Sequence, residues 1–480
     1  MAPVSLYWHD YETFGADPRR DRPAQFAGLR TDEDLNPVGA PLLIYCRPAD
    51  DMVPAPEACL ITGITPQKAL AEGVPEAQFM AAIHEQLAFP GTCGLGYNTL
   101  RFDDEITRHG LYRNFFDPYE REWRNGNSRW DLIDMVRLTA ALRPDGIEWP
   151  KDEQGRPSFR LEKLTAANGI AHEGAHDALA DVRATIELAR LIKTRQPKLY
   201  QFVWDNRGKR QVADMLPVGA FQPVIHVSEK YPAERHCLAV VVPLARHPVN
   251  QNGVIVYDLS VDPEPLLALS ADELRKRLYT PAAQLPEGVA RIPLKTVHLN
   301  RCPIIAPLKV ARPPDIERLQ LRPALWERHL DRLKSAPGLA AKVAEVFAES
   351  PWDGQECRDP DLMLYGGGFF SDQDKRRMET IRDMSPEKLA AFDPEFDDPR
   401  LPEMLFRYRA RNWPQSLNAE ERTRWDDYRR RRLTDPEGGG SLTLEQFNQS
   451  IDALEAEPGR PASQREVLAS LRAHGREIIR

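Results

Sequence analysis

Asp10 and Glu12 stand two positions apart at the end of a short apolar run, Leu6-Tyr7-Trp8-His9-Asp10-Tyr11-Glu12-Thr13. On a strand, side chains i and i+2 share a face and lie roughly 6.5–7 Å apart along it. Two ionised acids aimed together repel, and unit charges 4 Å apart at an effective dielectric near 20 cost about 4 kcal/mol. A divalent cation offsets that repulsion, and a hard oxygen donor set points to Mg²⁺ or Mn²⁺. The competing reading is a solvated strand end with two harmless acids.

Two further acidic motifs follow. Gly96-Tyr97-Asn98 ends a buried strand, and Arg101-Phe102-Asp103-Asp104-Glu105 opens a helix. Acids in a first helical turn suit the helix dipole, so Asp103 could be a stabilising terminal residue and nothing more. His176-Asp177-Ala178-Leu179-Ala180-Asp181 then precedes an Ala/Leu/Ile-rich helix. Residues five apart stand about 140° apart on an ideal helix, so His176 and Asp181 cannot share one helical face. They converge if His176 lies just before the helix and Asp181 inside it. The alternative for His176 is a satisfied loop histidine.

Strands and helices must alternate to place these motifs. The pattern predicts strands over 6–11, 26–30, 42–46 and 93–98, and helices over 76–88, 103–112, 131–142 and 178–193. That alternation suits an α/β domain on a mixed sheet. Gln196-Pro197 ends the last of these helices, because proline restrains the residue before it. The chain then turns β-rich, with strands expected over 223–227, 238–243, 254–259 and 296–299. From about 313 the pattern is helical, as over 328–334, 339–348 and 444–454, with Pro351 marking a joint. A chain of 480 residues exceeds a single core, and roughly three domains are expected.

Taken in order, Asp10-x-Glu12, Phe102-Asp103 and His176-x-x-x-x-Asp181 resemble the three motifs of the four-acid-plus-histidine 3′→5′ exonucleases. A narrower likeness runs through His9–Gly15, Asp21–Phe26, Leu60–Pro66, Asn127–Leu132, Ser158–Glu162, Lys193–Pro197 and Tyr408–Asn412. These segments resemble the bacterial exodeoxyribonuclease I family, and the likeness thins after Thr434, where Gly438-Gly439-Gly440 interrupts the pattern. The resemblance implies a ribonuclease-H-like exonuclease domain over 1–196. It also implies an SH3-like DNA-clamping domain over 197–350 and a mostly helical C-terminal domain over 351–480.

It implies hydrolysis of single-stranded DNA from the 3′ end to nucleoside 5′-monophosphates, in DNA repair and recombination. Two Mg²⁺ ions about 3.5–4 Å apart would assist the attacking water, the phosphate charge and the leaving oxygen, with Mn²⁺ a possible substitute. Asp10 and Asp181 are expected on the ion shared with the attacking water, Asp10 bridging both ions, with Glu12 and Asp103 completing the set. His176 is expected as general base, its ordinary pKa of about 6.5 suiting neutral pH. Glu12 and Arg160 are the expected substrate contacts, a guanidinium suiting bidentate phosphate binding. Arg160 read without the resemblance is a surface arginine packed on Phe159.

Single-strand channels join basic groups to aromatic platforms. Arg108, Tyr119, Trp123 and Arg137 supply both near the catalytic motifs. Trp123, set among Glu120-Arg121-Glu122 and Arg124, suggests an exposed stacking ring, against an ordinary buried tryptophan. By resemblance, Lys209, Asn252, Lys295, His298 and Asn300 line the DNA in the second domain, and Tyr365 beside Gly366-Gly367-Gly368 closes the channel from the third. Arg143, Arg312 and Lys334 match basic positions that dock the acidic, aromatic-ended tail of single-stranded-DNA-binding protein. Each could instead be a solvated surface charge.

Composition restricts the alternatives. With 64 basic and 72 acidic residues the net charge is −8, so a polyanion partner requires local positive potential. The run Arg429-Arg430-Arg431-Arg432, close to Glu420, Glu421, Asp426 and Asp427, reads as a salt-bridged, solvated helix face. Six scattered cysteines without a Cys-x-x-Cys pair read as reduced packing residues of a cytoplasmic protein. No stretch nears the ~20 apolar residues of a membrane span, and Met1-Ala2-Pro3 leads straight into a strand without a secretory signal. A monomer is expected. The rival readings are an RNA-trimming exonuclease on the same site and a non-catalytic DNA-binding scaffold. The filled set of five catalytic positions argues against the second.

Overall fold

Strand β1 (Ser5–Thr13) extends beyond both ends of the expected strand over 6–11, because alternating residues on it are covered from both faces. The computed structural model describes residues 4–172, 177–349 and 357–479. Strands β2 (Pro23–Thr31), β3 (Leu42–Tyr45), β4 (Thr92–Leu95) and β5 (Ser128–Arg129) complete a five-stranded sheet in the order β3-β2-β1-β4-β5. β1 is antiparallel to β2 and parallel to β4, so the sheet is mixed. On one face of β1, Tyr7 and Tyr11 pack with Phe26, Phe79, Met80, Ile83, Ile106 and Leu111 beneath the helices Glu76–Leu87 and Asp103–Arg113. The alternation sends Asp10 and Glu12 to the opposite face.

β4 stops at Leu95, three residues before its expected end. A Cβ on Gly96 would meet the carbonyl oxygen of His9 at 2.5 Å, and Asn98 adopts the left-handed region at φ 65°. The chain therefore leaves the sheet there, and β1 runs on past its parallel neighbour.

The chain divides into two units, and the first draws on Met1–Arg129, His172–Ile186 and Glu356–Arg480. Its C-terminal helices include Leu401–Asn412, Ala419–Thr434, Leu444–Ala456 and Ala462–Glu477. The last two bury Phe447, Ile451, Leu468 and Leu471 against Phe14, Met52, Val53 and Ile64, which backs the segment just after the acidic pair. Beneath them lies an ion cluster. Arg411 donates to Asp51 at 2.8 Å and to Asp361 at 2.8 Å, and Arg407 reaches Asp361 at 3.1 Å. Arg432 donates to the Asp51 carbonyl at 3.1 Å. The four-arginine run is thus not wholly solvated: Arg432 is buried and Arg429 pairs with Asp426 and Asp50. Burial alone would raise the Asp51 carboxyl, but Arg411, Arg432 and Arg22 together hold it well below the usual range.

The second unit draws on Trp130–Ala171 and Glu187–Gln355. Strands β6 (Val224–Val227), β7 (Leu238–Arg246), β8 (Gly253–Asp258), β9 (Leu294–His298) and β10 (Ile304–Pro307) form an antiparallel sheet in the order β10-β6-β7-β8-β9. β10 was not among the expected strands; its apolar stretch is only four residues long. Val224, Val241, Val254, Val256, Val297, Leu299 and Ile305 fill its core. The helix Leu132–Leu142, begun by an Asp131 cap on the Ile133 N–H, packs against β6, β7 and β10. Residues 130–171, which the sequence pattern groups with the first domain, thus make their main contacts in this unit.

Breaking a buried ion pair by removing one partner costs about 3–5 kcal/mol, since the other charge is left stranded. Asp51→Ala takes one carboxylate from both Arg411 and Arg432, leaving Asp361 alone to face Arg411, and is expected to lower the denaturant stability of the first unit by an amount toward the lower end of that range. A change within about 0.5 kcal/mol, as for an ordinary surface substitution, would contradict the role given to this cluster.

Candidate metal and nucleic-acid site

The acidic pair on β1 meets the third motif at the N-terminus of the helix Ala178–Arg195. Gln25 on β2 pairs in register with Glu12, so both side chains lie on one face. The Gln25 Oε1 accepts the Ala178 N–H at 3.3 Å and draws the helix start onto that face. Asp177 caps the helix by accepting the Leu179 N–H at 2.9 Å, which leaves Asp181 in the first turn. Ligand oxygens of Asp10, Glu12 and Asp181 consequently lie within 4.8 Å of one another.

Asp103 arrives from the other side. Past the end of β4, the Tyr11 N–H donates to the Asp103 Oδ1 at 3.1 Å, which fixes that carboxylate beside β1. Its charge acts on both strand acids. Burial, then Asp103, Glu12 and Asp181, push the Asp10 carboxyl well above its ordinary value. Burial, then Asp181 and Asp103, push Glu12 up to about 8. Carboxyls that resist ionisation together, offering only hard oxygens, are suited to divalent cations. The solvated strand end is excluded: Glu12 is buried and Asp10 half-buried.

A buried charge network that the sequence did not single out holds the Asp103 turn. Its neighbour Asp104 accepts from Arg121 at 2.5 Å and from Arg129 at 2.8 Å. Arg129 reaches Glu122 at 3.0 Å, and Glu122 takes two hydrogen bonds from Arg108, at 2.7 and 2.9 Å. In Asp103-Asp104-Glu105 nothing local distinguishes the acid facing the site from the one that anchors the turn.

His176 lies outside the described residues. His172, which the sequence reading passed over, has its Nε2 2.5 Å from the Asp181 Oδ1. Arg160 is exposed at the cap of the helix Leu161–Ala167 and pairs with Glu162 at 2.6 Å. Phe159, its expected packing partner, has the Arg137 guanidinium 5.9 Å from its ring centre. Arg137 is buried and paired with Asp134 at 2.6 Å.

Trp123 is 64 % exposed, the condition a stacking ring requires. Tyr119 lies with its ring centre 6.5 Å from that of Tyr365 and 5.5 Å from the Arg108 guanidinium. Tyr365 donates to Glu105 at 2.5 Å and accepts from Arg108 at 3.1 Å. Arg108 is itself buried and balanced by Glu105 and Glu122, so a phosphate would have to compete with two carboxylates for it.

In the second unit, Lys209 and Asn300 are exposed. His298 and Asn252 come together beside Asn250, whose amide lies 3.1 Å from the His298 Nδ1 and whose Oδ1 accepts the Asn252 N–H at 2.9 Å. Lys295 projects from the opposite face of β9 and donates to the His226 Nε2 at 2.8 Å. The five expected DNA positions of this unit therefore do not share one strand face. Arg143 and Arg312 converge on the buried Asp315, at 3.3 and 3.1 Å, while Lys334 is exposed at the end of the helix Pro323–Lys334.

Residues 7–189 match the family described as Exonuclease, 207–349 the Exonuclease I SH3-like domain and 358–478 the Exonuclease I C-terminal domain. The exodeoxyribonuclease I of Haemophilus influenzae is 48 % identical over 430 residues, covering 89 % of this chain and 90 % of that protein. Among solved structures, a moderately thermophilic exonuclease I from Methylocaldum szegediense is 61 % identical with TM-score 0.95, over 99 % of this chain and 100 % of that one. The zinc-bound form of an Escherichia coli exonuclease I–single-stranded DNA complex is 44 % identical with TM-score 0.94, over 100 % of both chains.

The raised Glu12 carboxyl has a consequence for stability. In the unfolded chain this group ionises near 4.5, in the fold near 8. The folded form therefore holds more protons between those values, and its stability falls as pH rises through the window. In chelator, the melting temperature of the wild type should fall relative to Glu12→Gln between pH 5 and pH 8, and added Mg²⁺ or Mn²⁺ should close the gap. Parallel melting curves over that range would contradict the crowding of acids.

Proposed function

This chain belongs to the exodeoxyribonuclease I family, and from that premise we propose that it hydrolyses single-stranded DNA from the 3′ end with two divalent cations and a histidine base. The observation that carries the reading is the approach of Asp10, Glu12 and Asp181 to within 4.8 Å of one another. Asp103 completes the set, oriented by its hydrogen bond to the Tyr11 N–H. These four carboxylates would hold Mg²⁺, with Mn²⁺ able to replace it; the zinc in the Escherichia coli relative supports a divalent site. Bound divalent cations supply stabilisation of charge on the phosphate oxygens and on the leaving 3′-oxygen.

The protein's own groups do the rest. His176 takes the proton of the attacking water, as its unperturbed pKa of about 6.5 suits at neutral pH. Glu12 and Arg160 position the terminal nucleotide, Arg160 by its phosphate. Trp123, Tyr119 and Tyr365 offer π-faces to bases, with Arg108 and Arg137 beside them. Lys209, Asn252, Lys295, His298 and Asn300 guide the strand from the SH3-like part; burial, with Arg301 nearby, keeps His298 neutral by pushing it down to about 4. Three working parts, 1–196, 197–350 and 351–480, accord with the matched family segments. Arg143, Arg312 and Lys334 would dock the tail of single-stranded-DNA-binding protein, and the paired Arg143 and Arg312 support such a basic surface. The reading further makes the enzyme a cytoplasmic monomer acting in repair and recombination. Among the described residues no helix is long and apolar enough to cross a membrane.

Labelled single-stranded DNA, matching RNA and duplex, each with Mg²⁺ and with chelator, test this reading. Stepwise loss from the 3′ end of the single-stranded DNA alone, abolished by chelator, is expected; preference for RNA would overturn it. His176→Ala should lower turnover about 10²–10⁴-fold while DNA affinity persists. Equal loss of affinity and turnover would remove His176 as the base, and the same kinetic profile for His172→Ala in its place would move that role to His172.

A further inference from the structure

Phe369 is 86 % exposed, more than any other large apolar side chain among the described residues. It follows Gly366-Gly367-Gly368, and Gly368 takes φ +74°, a turn that a side chain would strain. The ring lines a cleft of about 100 Å³ within the first unit, walled also by Phe116, Tyr119, Phe370 and Met378. Its centre is 6.3 Å from that of Tyr119, nearly edge-on at 74°, and Tyr119 in turn neighbours Tyr365.

The charges around this cleft are already spoken for. Lys375 pairs with Asp117 at 3.6 Å, and the Arg382 guanidinium lies 4.4 Å from the Phe116 ring centre while donating to the Phe115 carbonyl. His84, 4.5 Å from Phe116, is held neutral at pH 7 because burial pushes it down to about 4. A phosphate gains little from such balanced groups, and the acids Asp117, Glu120 and Glu379 on the wall disfavour it. A flat, uncharged π-face gains from Phe369 and Tyr119 together. Stacking of this kind tolerates any base, which suits an enzyme that must pass every sequence.

We propose that the Phe369 cleft is a stacking subsite for a nucleobase of single-stranded DNA, away from the 3′-terminal nucleotide. The proposal rests on the single-strand reading of function, and it adds a contact from the C-terminal part to those carried by Tyr119 and Tyr365. The alternative occupant with the same chemistry, an aromatic side chain of a partner peptide, leaves DNA affinity independent of Phe369.

The test measures fluorescence anisotropy of 5′-labelled dT20 with the full chain in chelator, where no hydrolysis occurs. Phe369→Ala and Phe369→Leu should weaken binding about 5–100-fold, and Phe369→Trp should restore it. With a single abasic residue walked along the oligonucleotide, one position should lose its sensitivity to Phe369→Ala. If the wild type fails to bind dT20, the single-strand reading itself falls. If it binds and Phe369→Ala and Phe369→Leu bind as tightly, or if abasic and Phe369→Ala effects add at every position, only the stacking subsite is overturned.

Discussion

Asp10, Glu12 and Asp181 are brought close together with Asp103 beside them, where water screens them only in part, and much of the first unit can be understood as the means of doing so. Burial and mutual repulsion raise Asp10 well above its ordinary value and Glu12 to about 8. Nothing in that cluster favours folding; the surroundings must impose it. Strand alternation turns Asp10 and Glu12 away from the aromatic core, Gln25 draws in the helix that bears Asp181, and the Tyr11 N–H receives Asp103. Each of these is a backbone or neutral contact, so none cancels the charge that a cation needs.

The counter-charges sit one layer back. Arg121 and Arg129 grip Asp104 and leave Asp103 for the site, so adjacent acids in one helical turn take opposite roles. The same economy of position recurs under the C-terminal helices, where Arg411 joins Asp51 to Asp361 across 360 and 50 residues of sequence. There the acids are held ionised by arginines, whereas Asp10 and Glu12 are pushed up by burial and by the acids beside them. That contrast between acids held down and acids pushed up separates the structural clusters from the candidate metal site.

Much of the site was legible because its signals are local. The i, i+2 spacing of Asp10 and Glu12 on an apolar strand carries its own geometry, and the charged setting of Trp123 foretold its exposure. The likeness to the exodeoxyribonuclease I family, carried by segments from His9 to Asn412, supplied the order of domains. What stayed hidden depends on contacts distant in sequence. Arg432 looked like one of four solvated arginines until the fold set it against Asp51. That Lys295 and His298, three positions apart on β9, face opposite sides of the sheet follows only from the strand they share. Phe369-Phe370 reads as core in any local window; only packing shows Phe370 half-buried and Phe369 in water.

The central claim is that Asp10, Glu12, Asp103 and Asp181 form one divalent-cation site. Anomalous diffraction from a crystal of this protein soaked in Mn²⁺ measures it most directly. The account predicts strong anomalous density enclosed by those four carboxylates, with Asp10 on both ions when two are bound. Carboxylates that diverge, or a soaked crystal with no peak among them, would contradict it.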